Sequence, residues 1–138
     1  MSEWRRSFYS SVEEKRFEDS LKKKEDVIST INKEFNELAE PIKDLMKTYK
    51  NEGLYRYQIY DRILEVDYQD TVVKFYQIFL GSYDQKEKER NLVTEFIHNG
   101  NVFVETDSKH DSSDRFINKR TIDEIFKEVF TFGRAIRY

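Results

Sequence analysis

The chain has 138 residues, the commonest size for a single domain and long enough to enclose one hydrophobic core. Its charged fraction of 37% accompanies an aromatic fraction of 15%, and these large rings distinguish it from disordered chains, which are charged but lack them. The formal net charge of -3 provides no general attraction to nucleic acid or to an anionic membrane, so we do not expect a nucleic-acid-binding protein.

The residue inventory argues against several kinds of chemistry. The absence of cysteine excludes disulfides, thiolate metal sites and cysteine nucleophiles, and is typical of a cytoplasmic protein. No run of about eighteen apolar residues exists, so we expect no membrane-spanning segment. Without a Gly-rich phosphate loop or a Gly-x-Ser-x-Gly motif, we expect no cofactor and no enzymatic activity. Abundant Lys, Asn, Ile, Phe and Tyr suggest an A/T-rich bacterial or phage genome.

The first residues show helical spacing. Trp4, Phe8 and Val12 are four residues apart, as on one side of a helix. Ser10 and Ser11 stand three residues before a pair of glutamates, a pattern typical of a helix start. Two arrangements are therefore open: a short first helix before a longer one, or one continuous helix.

A long apolar stripe predicts a helical arm. From Phe17 to Tyr49 the apolar residues recur at steps of three and four, in the series Leu21, Ile28, Ile31, Phe35, Leu38, Ile42, Leu45 and Tyr49. Val27, Ala39 and Met46 widen the stripe, which favours a helix packed on a sheet over a two-stranded coiled coil. Pro41 lacks an amide donor and predicts a kink, and Gly53 is expected to close the helix.

From Leu54 onward the hydrophobic period changes to two. Alternating residues predict strands at 55–59, 64–68 and 72–80, and the charged segment 81–91 is expected to be a loop. Asn99-Gly100 lies between strands predicted at 92–98 and 102–106, and this dipeptide is typical of a type I′ hairpin turn. The segment Asp107 to Asp114 has the composition of a second loop.

A last helix is predicted after this loop. Thr121 and Glu124 have the spacing of a capping box, and Gly133 is expected to end the helix. The chain therefore reads as one α+β domain, 1–138. It has a Pro-kinked helical arm at 1–52, a four- to five-stranded antiparallel sheet at 53–106, and a C-terminal helix and tail at 115–138 that pack on one face.

Tyrosine and arginine residues on the first strands are candidates for a protein interface. Tyrosine offers a large contact area with little entropy loss, and arginine is often an interface anchor. The alternative is that these rings simply lie along the sheet with their hydroxyls in water. The candidate binding residues are Tyr55, Arg56, Tyr57, Tyr60, Arg62, Tyr68 and Tyr76.

An acidic set suggests an enzymatic alternative. Magnesium-dependent nucleases of one class place an acid on one strand and an acid-x-Lys triplet on the next. Asp107 and Lys109 match that triplet, with Asp67 and Glu105 as the other acids. The triplet falls in a predicted loop, where a solvated turn is the simpler interpretation.

The leading interpretation is a small non-enzymatic protein-interaction module of accessory or inhibitor type. We expect it to bind a protein partner, or itself as a homodimer, through an aromatic sheet surface, with no metal and no membrane. Besides the nuclease, a second alternative to the interaction module is a small-ligand-binding α+β domain, whose pocket would be lined by four phenylalanines: Phe75, Phe79, Phe96 and Phe103.

Overall fold

Three helical segments precede the sheet in the computed structural model, which describes residues 3–19, 21–106 and 116–131. Helix α1 spans Glu3–Asp19 and helix α2 spans Lys24–Ala39. A short 3-10 helix follows at Glu40–Leu45. The first part of the chain thus forms two separate helices, as in the first arrangement left open by the sequence, but of nearly equal length, 17 and 16 residues. Ser10 and Ser11, expected at a helix start, lie inside α1.

Within the described residues the sheet has six antiparallel strands, where four or five were expected. In chain order they are β1 at Met46–Asn51, β2 at Leu54–Ile59, β3 at Arg62–Tyr68, β4 at Val72–Leu80, β5 at Glu87–His98 and β6 at Phe103–Glu105. Each strand pairs with the next in the sequence, so the order in space is also β1 to β6. Helix α3, Lys119–Val129, follows the sheet. The predicted α+β class with helices beside an antiparallel sheet is confirmed.

Helices α2 and α3 cover one face of the sheet. Val27, Ile31, Phe35 and Ala39 recur every four residues along α2 and are all fully buried. The centre of the Phe35 ring lies 5.2 Å from the centre of the Tyr57 ring of β2 and 6.4 Å from that of the Phe126 ring of α3. This face therefore holds the hydrophobic core, and we call the opposite face the open face.

The helical arm is shorter than predicted. Pro41 cannot donate an amide hydrogen bond, and Ile42 takes the non-helical angles φ -132 and ψ 34, so α2 does not continue. The residues that keep the helical spacing from Leu38 onward do not form a buried stripe: Leu38, Ile42, Leu45 and Tyr49 are 45%, 38%, 48% and 49% exposed. A strand, β1, occupies residues that the sequence assigned to the arm.

A tight turn explains why this segment is a strand. Glu52 and Gly53 both have positive φ, 45 and 90, which matches the twist of a two-residue hairpin. Gly53 thus adopts the left-handed conformation expected of it, but in the β1–β2 turn instead of a helix end. The domain description changes accordingly, because the sheet begins at Met46 and not at residue 53.

Other predicted boundaries are corrected locally. Strand β5 begins at Glu87, within the predicted loop, where it pairs with Leu80 of β4. Its charged residues Glu87 and Arg90 form ion pairs with Arg56 of β2 and Glu65 of β3. The hairpin around Asn99-Gly100 is present, but of these two residues only Gly100 has positive φ, and the Asn99 amide donates to the Val102 carbonyl across a longer loop.

The capping box of α3 is present but shifted. Asn118 is the N-cap and Thr121 the third helical residue: the Thr121 amide donates to Asn118 Oδ1 at 2.9 Å, and the Asn118 amide donates to Thr121 Oγ1 at 2.8 Å. Gly133, expected to end this helix, lies outside the described residues.

Candidate functional site: a groove on the open sheet face

The predicted aromatic surface is divided between the two faces of the sheet. Tyr55, Tyr57 and Tyr68 lie on the helix-covered face, and Tyr57 and Tyr68 are only 0% and 4% exposed. Arg56 and Tyr76 lie on the open face, since both pair across the strands with Glu65. The seven candidate residues therefore do not form one exposed surface.

The buried tyrosines belong to the core beneath α2. The Tyr57 hydroxyl donates to Asn32 Oδ1 of α2 at 2.6 Å, and the Tyr55 and Tyr68 rings meet edge to face at 5.0 Å. Burial is the main cause that raises the pKa of both Tyr57 and Tyr68 above the ordinary phenol value. Both phenols stay protonated at neutral pH, and the bond from Tyr57 to Asn32 helps hold α2 on the sheet.

Tyr60 and Arg62 lie near the turn that joins β2 and β3. Tyr60 is 60% exposed and adopts a left-handed φ of 55, which is rare for a bulky residue. The Arg62 guanidinium lies over the Phe79 ring at 4.6 Å and donates to the Thr131 carbonyl at 3.1 Å. Of the seven candidates, Tyr60 is the one that presents most of its ring to solvent.

A charged network occupies the centre of the open face. The Glu65 side chain is 2% exposed and accepts from Arg56 Nε at 2.8 Å and from Arg90 Nη2 at 2.5 Å. The Arg90 guanidinium also lies 3.7 Å from the centre of the Tyr76 ring, and its hydrogen bond to Glu65 is the main cause that raises its pKa. One buried carboxylate is thus shared by two guanidinium groups.

The strand register explains this arrangement. Tyr49, Arg56, Glu65, Tyr76 and Leu92 are paired in succession from β1 to β5, so their side chains share one row on the open face. Arg56 reaches further along this face, because its Nη2 donates to Glu87 at the start of β5 at 3.1 Å. Arg56 therefore links β2, β3 and β5.

A groove of about 620 Å³ lies beside this network. Its apolar wall includes Leu54, Ile63 and Leu80, and its charged residues are Lys50, Arg56, Lys86 and Glu87. The remaining lining residues are polar or aromatic: Tyr49, Asn51, Gln58 and Gln85. Cationic side chains outnumber anionic ones here, in a chain whose formal net charge is negative.

The acidic residues of the nuclease alternative are not brought together. Asp67 of β3 is on the open face, where it accepts from Gln69 Nε2, whereas Glu105 of β6 pairs with the core residue Phe96 on the other face. Three strand spacings separate β3 from β6, about 14 Å along the sheet. Asp67 and Glu105 therefore cannot ligate one ion.

The other two residues of that alternative, Asp107 and Lys109, lie outside the described residues. Within residues 3–19, 21–106 and 116–131, no three acidic or histidine side chains come close enough to hold a metal ion.

The phenylalanines of the ligand-pocket alternative pack into the protein. Phe75, Phe96 and Phe103 are at most 1% exposed and belong to the hydrophobic core, with the Phe75 and Phe96 rings 5.9 Å apart. Phe79 lies beneath the Arg62 guanidinium. These rings fill space instead of lining the groove on the open face.

A second cavity lies between α1 and the start of α3. Its volume is about 750 Å³, and Phe8 and Val12 of α1 face Asn118, Lys119 and Arg120 across it. On the same helix the Trp4 and Phe8 rings stack at 5.5 Å, and Trp4 is 70% exposed. Helix α1 thus presents an apolar surface that the described residues leave largely open to solvent.

Comparison with known proteins identifies no relative: no protein-family model, no curated protein and no solved structure matches the chain. None of the described helices is long and apolar enough to cross a membrane.

Sequence reasoning found Arg56 but missed its partners. Glu65, Glu87 and Arg90 were assigned to a strand or to a solvated loop, and only the register brings them together across β2, β3 and β5. Opposite charges on successive strands were the available signal, but they are informative only once strand order is known.

Proposed function

We propose that this chain is a small non-enzymatic protein-interaction module of the bacterial or phage cytoplasm, which binds an extended segment of a partner protein along strand β1. The observation that carries the proposal is the free edge of the sheet at β1. This strand ends the sheet, pairs only with β2 among the described strands, and has five exposed residues out of six. Such edges bind added strands through main-chain hydrogen bonds.

Exposed apolar side chains beside β1 support the same site. Four apolar side chains in or just before this strand are each more than a third exposed: Leu38, Ile42, Leu45 and Tyr49. The exposed Tyr60 lies next to them, because its backbone amide donates to the Leu45 carbonyl at 3.0 Å. The left-handed backbone of Tyr60 costs about 1 kcal/mol relative to glycine, so an exposed ring at this position suggests a binding role. These side chains would extend the contact beyond the main chain.

Charge defines the class of partner. The β1 sequence Met46–Asn51 contains Lys47 and Lys50 and no acidic residue. Lys47 and Lys50 lie on opposite faces of the sheet, so pairing β1 with the same strand of a second copy would place two lysines on each face without an acidic residue from either strand, which is unfavourable. The site therefore favours a foreign strand that carries acidic residues.

Homodimerisation, the form of self-association expected from the sequence, is proposed at α1 instead. Its basis is the exposed apolar surface of Trp4, Phe8 and Val12, which keeps the four-residue spacing of one helix side. A second copy of α1 would cover both surfaces at once. This interface is separate from β1, so the two associations are compatible.

A proline in β1 tests the proposed function. The bond from the Tyr60 amide to Leu45 means that Met46, Thr48 and Lys50 direct their backbone groups away from β2, toward the free edge. Thr48→Pro removes one outward donor and keeps the bonds to β2, and Thr48→Val is the matched control that keeps the donor. A benzophenone amino acid in place of Tyr60 would form a photo-crosslink with a bound partner in cells of the source organism.

We expect the photo-crosslinked product to be lost in Thr48→Pro and retained in Thr48→Val. The same label in place of Ile97, which is 43% exposed on β5, should not capture that partner. Equal crosslinking in Thr48→Pro, in Thr48→Val and with the label in place of Ile97 would show that β1 is not the binding edge.

A further inference from the structure

The groove on the open face has the composition of a ligand site in its own right. Its volume of about 620 Å³ falls within the range of small-molecule sites, roughly 300 to 1,000 Å³. It combines an apolar wall with a few polar groups that could orient a ligand. Tyr49, Lys50 and Asn51 of β1 line part of this groove. The ligand contacts argued below use side chains from other segments and do not use the outward main-chain groups of β1.

Arg56 is held in a fixed orientation at this groove. Its Nε is bound to the buried Glu65 and its Nη2 to Glu87, whereas its Nη1 makes no hydrogen bond to any described residue. A guanidinium positioned by a buried carboxylate loses little entropy when it binds an anion. The groove therefore offers a pre-oriented donor.

The local charge balance leaves a positive excess. Glu65 neutralises only one of its two arginine partners, and Glu87, whose side chain is 41% exposed, compensates the other from solvent. Lys86 also lines the groove and adds a further positive charge. The Lys50 ammonium lies 5.7 Å from the Tyr55 ring centre, on the helix-covered face, and does not contribute to this excess.

We infer that this groove binds a small amphipathic carboxylate, with the anionic head on Arg56 and Lys86 and the alkyl body on Leu54, Ile63 and Leu80. The apolar wall and the cationic groups lie in one groove, so a ligand with both characters satisfies it better than a simple anion or a neutral alkane. This inference is independent of the β1 proposal and lies away from the phenylalanines expected to form a pocket.

Octanoate is a suitable probe of this chemistry, with acetate and 1-octanol as controls for the head and the tail alone. Binding to the full chain is measured by isothermal titration calorimetry and by the shift of the Arg56 Nε–H signal in NMR. We expect octanoate to bind at least tenfold more tightly than acetate or octanol.

Two variants assign the contacts. Arg56→Gln should weaken octanoate binding at least tenfold, whereas Lys74→Gln, which removes a lysine paired with Glu95 elsewhere on the open face, should not change it. Glu87→Gln removes the solvent-exposed competitor for Arg56 Nη2 and should tighten binding a few-fold, a gain that a loss of folding cannot produce.

Three results would overturn the inference: no octanoate binding at millimolar concentration, equal binding of acetate and octanoate, or equal octanoate affinity in the wild type and Arg56→Gln. Circular dichroism of each variant confirms that the fold is retained, and if Arg56→Gln fails to fold, the Glu87→Gln result decides.

Discussion

At the scale of single residues, the buried tyrosines are the clearest difference between composition and role. Tyr57 and Tyr68 were candidates for an interface because tyrosine is common there, yet both rings are buried in the core, where the Tyr57 hydroxyl donates to Asn32 of α2. The alternation of β2 correctly places Tyr55 and Tyr57 on one face, but does not say that α2 covers it. Burial also makes the folded state sensitive to alkali, because it disfavours the ionised form of these phenols.

This burial predicts a loss of stability at high pH. The pKa of Tyr57 and Tyr68 is raised in the folded state, so the unfolded chain releases these protons first. Their contribution is fully present below the ordinary phenol pKa of about 10 and is lost as the pH rises above it. Urea unfolding between pH 8 and pH 11.5 should show a decline above pH 10.

A variant isolates the tyrosine contribution. Tyr68→Phe should reduce the alkaline slope by about 1.4 kcal/mol per pH unit, the value for one proton. Tyr83→Phe is the control, because Tyr83 is fully exposed and should leave the slope unchanged. Equal slopes in the wild type and Tyr68→Phe would show that the Tyr68 phenol ionises without unfolding.

At the scale of elements, the fate of residues 46–51 decides the sheet. Their apolar positions continue the helical spacing of α2, yet Pro41 ends the helix and the Glu52-Gly53 turn folds the segment back onto β2. Spacing alone could not distinguish these outcomes, because Leu45 and Tyr49 fit either period and neither is buried. The left-handed conformation of Gly53 in the β1–β2 turn should therefore contribute measurably to the stability of the fold.

Gly53→Ala should destabilise the protein by about 1 to 2 kcal/mol. Gly53 has φ +90, and an added Cβ would lie 2.9 Å from the Tyr68 carbonyl oxygen, which is backbone and cannot move aside. Gly100→Ala is the matched control, since Gly100 has φ +104 but nothing within 4 Å of the added atom. Chemical denaturation should give a larger loss for Gly53→Ala, and equal losses would contradict the β1–β2 turn.

At the scale of the whole molecule, the apolar side chains of α1 that the structure describes lie outside the core that the other elements share. The core includes residues from α2, α3 and the sheet, whereas Trp4, Phe8, Tyr9 and Val12 of α1 are all at least 47% exposed. An exposed apolar helix side of this kind is typical of an association surface. This is the physical basis of the proposed homodimer.

Light scattering over a dilution series tests that dimer. The double variant Trp4→Ala and Phe8→Ala should be monomeric at concentrations where the wild type has twice the monomer mass, with little change in the free energy of unfolding of the monomer. Leu92→Ala, which removes an apolar side chain that is 56% exposed on β5, is the control and should remain dimeric. A wild-type chain that is monomeric throughout would contradict the homodimer.

The sequence by itself determined the fold class, because the change from helical to alternating spacing is local and each strand and helix needs only its own pattern. It also located an interruption at Pro41, but as a kink inside a longer helix, and a left-handed Gly53, but at a helix end. The hairpin around Asn99-Gly100 was predicted correctly, but its turn is not of type I′. The tertiary structure alone decided that the helices cover Tyr57 and Tyr68, that β1 is a free edge, and that Arg56 meets Glu65, Glu87 and Arg90. These features depend on strand register and on which face is covered, and both are set by contacts between residues far apart in the chain.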